Sequence, residues 1–197
     1  MLPEPDQPTL HVFAGPNGAG KSTLFRQLAG PYPQVNADVI QAENPQLSGV
    51  GVGLLMSNQI KELRANRATF SLETNLAKQS HYNTFQGYQQ QGYRVTITFV
   101  GLASALDCKE RVAACVQQGG HYIPEKQIEE RYTAGLALLK KNYHVPDQLV
   151  LVDNTVRPTV VLVVEQGRII WQAPDLPKWA AEVEAHSRQV ERTNGPS

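Results

Sequence analysis

Apolar and polar positions along this chain alternate in short blocks that predict strands and helices in turn. Thr9 to Ala14 is a brief apolar run of the length of a buried strand, and Ser22 to Leu28 has the spacing of a helix. Gly30-Pro31-Tyr32-Pro33 breaks the chain, and Gln34 to Asp38 predicts a short second strand. A glycine-rich stretch, Ser48 to Gly53, leads to a helix from about Ser57 to Arg67. Ala68 to Leu72 is strand-like and ends at Glu73-Thr74-Asn75, before a polar helix from Gln79 to Gln91. Arg94 to Val100 is rich in β-branched residues and predicts a strand. Two helices follow, Ser104 to Gln118 and Pro124 to about Tyr143, separated by Gly119-Gly120. Gln148 to Val152 predicts another strand. Residues 159–164 and 168–171 flank Glu165-Gln166-Gly167 as an antiparallel hairpin appended to the sheet. A short helix near Trp179 to His186 and a frayed end at Asn194 to Ser197 complete the pattern.

Strands alternating with helices predict an α/β fold, a mainly parallel sheet covered on both faces. No repeat or break in composition divides the 197 residues, so one domain over 1–190 and a flexible tail over 191–197 are expected. Lys plus Arg equals Asp plus Glu at 18 each, which removes the usual electrostatic signature of a nucleic-acid partner. Cys108 and Cys115 lie two helical turns apart, too far for an easy disulfide, and predict a reduced, cytoplasmic protein. Met1 to Pro5 lacks the features of a leader, and no apolar run is long enough for a bilayer.

Between the first strand and the first helix stands Gly15-Pro16-Asn17-Gly18-Ala19-Gly20-Lys21-Ser22-Thr23, a complete G-x-x-x-x-G-K-[ST] pattern. In that setting the backbone N–H groups and the helix N-terminus hold phosphate oxygens. Lys21 reaches the outer phosphates, and the Ser22 hydroxyl is placed for Mg²⁺. A nucleoside triphosphate, ATP with Mg²⁺, is the expected ligand.

Reactive groups of such sheets collect at the carboxyl ends of the strands, where Asp38, Glu73 and Asp153 fall. Asp38 is either a general base or Mg²⁺ ligand, or a turn or helix-cap aspartate. Glu73 either orients a substrate hydroxyl or metal-bound water, or is a surface acid. Asp153-Asn154-Thr155 reads as a structural strand end near the nucleotide base. Arg111 and Arg131 bracket the turn at 119–124 and either stabilise a transferred phosphoryl group beneath a helical lid or are solvated helix residues. His121 reads as a turn residue.

Together GPNGAGKST, Val35 to Asp38, Ser71 to Leu76, Arg111-Val112 with Gly119-Gly120-His121 and Ile123-Pro124, and Arg131-Tyr132 resemble the zeta toxin family. The match is nearer its bacterial branch labelled "predicted ABC-type ATPase" and runs from about Leu10 to Trp179. The resemblance implies a three-layer P-loop kinase fold with a five-stranded sheet, a helical lid and a C-terminal hairpin. It implies ATP/Mg²⁺-dependent phosphorylation of a small-molecule hydroxyl, in well-known members that of UDP-N-acetylglucosamine, and an antitoxin partner. By position, Lys21 and Ser22 bind phosphates and Mg²⁺, and Asp38 is the base and a metal neighbour. Glu73, with Thr74 and Asn75, contacts substrate, while Arg131 and Arg111 stabilise the moving phosphate. Asn75, Ala77 and Cys115 depart from the pattern at positions where Thr, Arg and Arg occur. Leu47-Ser48-Gly49 begins like the transporter signature without the following Gly-Gln, so little weight attaches to the ABC label. The alternatives are a hydrolysing nucleotide switch, for which no N-K-x-D element is present, and a member that binds ATP with little catalysis.

Overall fold

A computed structural model describes residues 7–28, 30–120 and 122–194, with side chains to 190. Among these residues seven strands form one sheet: β1 (Thr9–Ala14), β2 (Gln34–Val35), β3 (Phe70–Thr74), β4 (Arg94–Gly101), β5 (Gln148–Asp153), β6 (Thr159–Glu165) and β7 (Arg168–Gln172). Their spatial order is β2-β3-β1-β4-β5-β6-β7. The first five are parallel and β6 and β7 join antiparallel, so the expected five-stranded parallel sheet carries its C-terminal hairpin as two further strands, seven in all. Pairing of β5 with β6 extends the sheet because the edge of β5 would otherwise leave its N–H and C=O groups unpaired.

The helices are α1 (Lys21–Leu28), α2 (Ala37–Glu43), α3 (Gly49–Ala65), α4 (Gln79–Gln90), α5 (Ala105–Gln117), α6 (Glu125–Asn142) and α7 (Lys178–Asn194). Most lie close to their expected bounds. Three depart. The expected second strand stops at Val35, because the Asn36 side chain accepts from the N–H groups of Asp38 and Val39 and starts α2 there. The glycine-rich stretch, expected to lead to a helix from about Ser57, is already the N-cap and start of α3. Val52 is buried, and Met56, Ile60 and Leu63 pack on the core, so a helical apolar stripe outweighs the poor propensity of the glycines. Finally, α7 runs through residues 191–194, which the sequence reading put in a tail, and residues 195–197 lie outside the described residues.

The main core lies between one sheet face and α3, α4, α6 and α7. Val95, Ile97 and Phe99 of β4 meet Tyr82, Phe85, Leu139 and Trp179 there. A second cluster gathers Ala19 of the phosphate loop, Val100, Val152, Cys108 and Val112 of α5, and Ile128 of α6. The α5–α6 pair expected as a lid is therefore seated on the loop itself. The Tyr132 hydroxyl pins it further, donating to the carbonyls of Leu102 (3.1 Å) and Ala103 (3.2 Å) at the end of β4.

Candidate functional site

The phosphate loop leaves β1 at Gly15, whose φ of +139° suits glycine alone, and a Cβ there would sit 2.1 Å from the Val100 carbonyl oxygen. This tight passage aims the loop at the sheet's carboxyl end and into the start of α1. Lys21 is 8% exposed, and its Nζ donates to the carbonyl of Pro16 at 2.9 Å. Burial pushes its ammonium below the usual lysine range, while Glu73 and Asp38 pull the other way. An anionic ligand in the loop supplies the counter-charge that burial withholds.

Glu73 is central. Because β3 lies beside β1, Glu73 stands level with Phe13, just before the loop. Its Oε1 accepts from Ser22 Oγ at 2.9 Å and its Oε2 from Asn36 Nδ2 at 3.0 Å. A hydroxyl and a carboxylate in contact at the first turn of α1 form a hard oxygen donor pair. They fit Mg²⁺, which keeps most of its waters and takes further ligands from phosphate oxygens. Among the described residues no group of three or more His, Cys, Asp or Glu forms a metal cage. Ser22 and Glu73 are residues that could hold Mg²⁺; the sequence reading assigned the metal to Ser22 and Asp38, and Asp38 lines the same cavity as Glu73.

Asp38 is exposed in the first turn of α2. It lines a cavity of about 650 Å³ with Asn17, Lys21, Glu73, Thr74, Asn75, Ala77, Lys78, His81, Gln127, Glu130 and Arg131. Arg131 reaches the loop through Nη1, which donates to Asn17 Oδ1 at 3.0 Å. Thr74 and Asn75 turn their side chains to local work. Thr74 Oγ1 accepts from Leu76 N–H and lies 3.4 Å from His81 Nδ1, while Asn75 Oδ1 accepts from Ala77 N–H. These turns hold buried Leu76 at φ +55°, outside the range such a residue prefers, and so fix the cavity wall.

Arg111 stands apart from this group. It lines a second cavity, of about 500 Å³, on the side of Gly18, Gly20, Thr23 and Gln27, with Cys115 and Pro158. Its Nη2 donates to the carbonyls of Asn154 (2.7 Å) and Thr155 (2.8 Å). Of the two arginines singled out by sequence, Arg131 faces the cavity of Asp38 and Arg111 does not. Asp153 accepts from Trp179 Nε1 and from Thr155 Oγ1, a structural engagement. His121 lies outside the described residues.

Sequence reasoning missed Asn36 as a site residue, and Lys78, His81, Gln127 and Glu130 as cavity walls. Asn36 carried a readable signal, an N-cap residue ahead of a helix. The others carry none, since only the fold brings α4 and α6 to the same opening.

A family model described as "ABC transporter" matches residues 6–189. An uncharacterized protein of Haemophilus influenzae (strain ATCC 51907 / DSM 11121 / KW20 / Rd) is 26% identical over 126 residues, 61% of this chain and 89% of its own length. Among solved structures, the Streptococcus pneumoniae PezAT chromosomal toxin-antitoxin system gives a TM-score of 0.60 at 12% identity, over 96% of this chain and 88% of the other. The Pnkp1/Rnl/Hen1 RNA repair complex gives 0.58 at 19% identity, over 68% of this chain, which spans only 46% of that one. These likenesses show a shared fold. The Leu47-Ser48-Gly49 departure, taken in the sequence as reason to set the ABC label aside, is outweighed by a match that runs across the loop, β3 and β5 alike; Ser48 simply caps α3. Matched over residues 6–189 and carrying its phosphate loop between β1 and α1, the chain belongs to the ABC transporter family and has the P-loop NTPase fold.

Proposed function

We propose that this chain is an ATP- and Mg²⁺-dependent kinase that phosphorylates a hydroxyl of a small metabolite. The observation that carries the reading is the cavity of about 650 Å³ beyond the loop, lined by Lys21, Asp38, Glu73 and Arg131 together. A nucleotide held by the loop presents its γ-phosphate to that space, and the remaining volume suits an acceptor. The acceptor oxygen attacks phosphorus, the bond to the β-phosphate oxygen breaks, ADP leaves, and the hydroxyl proton passes to Asp38. Lys21 and Arg131 stabilise the charge on the transferring oxygens. Ser22, with Glu73 behind it, would hold Mg²⁺, which would supply charge screening of the phosphates when bound. Glu73, Thr74 and Asn75 shape the acceptor's wall. Arg111, on the opposite side of the loop, serves the donor nucleoside in the 500 Å³ cavity.

The finer reading is a UDP-N-acetylamino sugar as acceptor, acting in the cytoplasm as the toxin of a toxin-antitoxin pair. The sequence resemblance and the fold shared with the PezAT system support it. Incubation with ATP, Mg²⁺ and a metabolite extract, with UDP-N-acetylglucosamine as a defined acceptor, tests both levels. Mass spectrometry should find one compound heavier by a phosphate, and ADP release without any such compound would count against a kinase. That latter outcome is the second reading, hydrolysis coupled to a change of shape, which family membership favours.

A further inference from the structure

The turn after β5 engages more of the donor side than closing a strand requires. Asn154 Nδ2 donates to the carbonyl of Ala19 at 2.8 Å, and Ala19 is fully buried, so that oxygen has no water to turn to. The Asn154 N–H donates to Gly101 O at 2.9 Å, at the end of β4. Its carbonyl accepts Arg111 Nη2 at 2.7 Å. One residue thus holds the main chain of the phosphate loop, the neighbouring strand end and the guanidinium of the second cavity. The packing is close: a Cβ on Gly20 would stand 2.5 Å from Asn154 Nδ2. The turn is itself locked, since Asp153 Oδ1 accepts from both Thr155 Oγ1 (2.9 Å) and Trp179 Nε1 (3.1 Å).

We propose that Asn154 is a positioning residue that couples the two halves of donor recognition. Its side chain fixes the loop whose N–H groups face the phosphates, and its carbonyl fixes Arg111 against the nucleoside base. This rests on the reading that the donor nucleotide spans the loop and the second cavity. Removing the amide orphans a buried carbonyl, so the loop relaxes, and the turn that shifts with it takes Arg111 out of place.

The test measures equilibrium binding of two Mg²⁺ complexes, inorganic tripolyphosphate and ATP, so no acceptor is needed. Arg111→Ala should weaken ATP about tenfold by loss of stacking and leave tripolyphosphate unchanged. Asn154→Ala should weaken tripolyphosphate about tenfold and ATP by more. Asn154→Asp keeps the size without the donor and should follow Asn154→Ala, which separates the hydrogen bond from mere volume. In the double variant Asn154→Ala/Arg111→Ala, ATP should weaken by less than the product of the single effects, because both act on one arrangement. A residue that only supports the fold would lower Tm and leave the two effects multiplicative. Unchanged tripolyphosphate affinity in the Asn154 variants, or fully multiplicative effects on ATP, overturns the proposal alone. Wild-type protein that binds neither ligand overturns the donor-site reading and this proposal with it.

Discussion

Asp38 and Lys21 line one cavity but face different chemistry, and substitutions separate them. Asp38→Asn keeps the volume and removes the proton acceptor. ATP binding should persist, while phosphoryl transfer falls by about 10²–10⁴-fold. Lys21→Ala removes the charge that faces the phosphates and should weaken ATP by at least about 30-fold in the same binding assay. Full transfer by Asp38→Asn would remove Asp38 as the base. Lys21 also makes ATP affinity depend on pH. Burial holds its ammonium below 10.5, the ordinary lysine value. It is charged and phosphate-binding below the lowered pKa and neutral above it. ATP affinity should therefore begin to fall at a pH lower than an exposed lysine would give. Titration calorimetry across alkaline pH reads this directly, and an affinity flat up to pH 10.5 would contradict it.

At the scale of elements, α2 is the piece on which stability and site geometry meet. Asn36 caps it through Oδ1 and steadies Glu73 through Nδ2. Asn36→Ala should cost about 0.5–2 kcal/mol of stability, read as a lower midpoint in denaturant. Asn36→Asp keeps an oxygen for the cap but sets a carboxylate against Glu73. Stability should then stay near wild type while Mg²⁺-dependent ATP binding weakens. Equal loss of stability in both variants would mean that the Glu73 contact, and not the cap, carries Asn36. The α5–α6 pair shows why element type and element role are legible to different degrees. Gly119-Gly120 and Pro124 mark its ends in the sequence. Its seat on Ala19 depends on Cys108, Val112 and Ile128 meeting residues more than 80 positions away.

At the scale of the whole molecule, among the described residues, half-buried His11 and His81 are each held below the ordinary value of 6.5, chiefly by burial and further by Arg94 and Lys78 respectively. Between the lowered pKa values and 6.5 the unfolded chain binds more protons than the folded one, so stability rises with pH across that window and levels off above it. Thermal unfolding at pH 5 and pH 7.5 should show this rise, and a His11→Asn/His81→Asn variant should show less of it; an identical slope would exclude both histidines as its source. At this scale the two routes to knowledge also part. Sequence alone determined the loop with its strand and helix, and the alternation that makes a parallel sheet. Those are local facts, written in neighbouring residues through glycine geometry, helix capping and apolar period. Tertiary structure alone decided the strand order of the sheet and that glycines 49, 51 and 53 are helical. It also decided that Glu73 is the partner of Ser22 and that Arg111 and Arg131 lie on different sides of the loop. Each of those depends on which strand lies beside which, and strand order follows from burial summed over the whole chain, which no local pattern records.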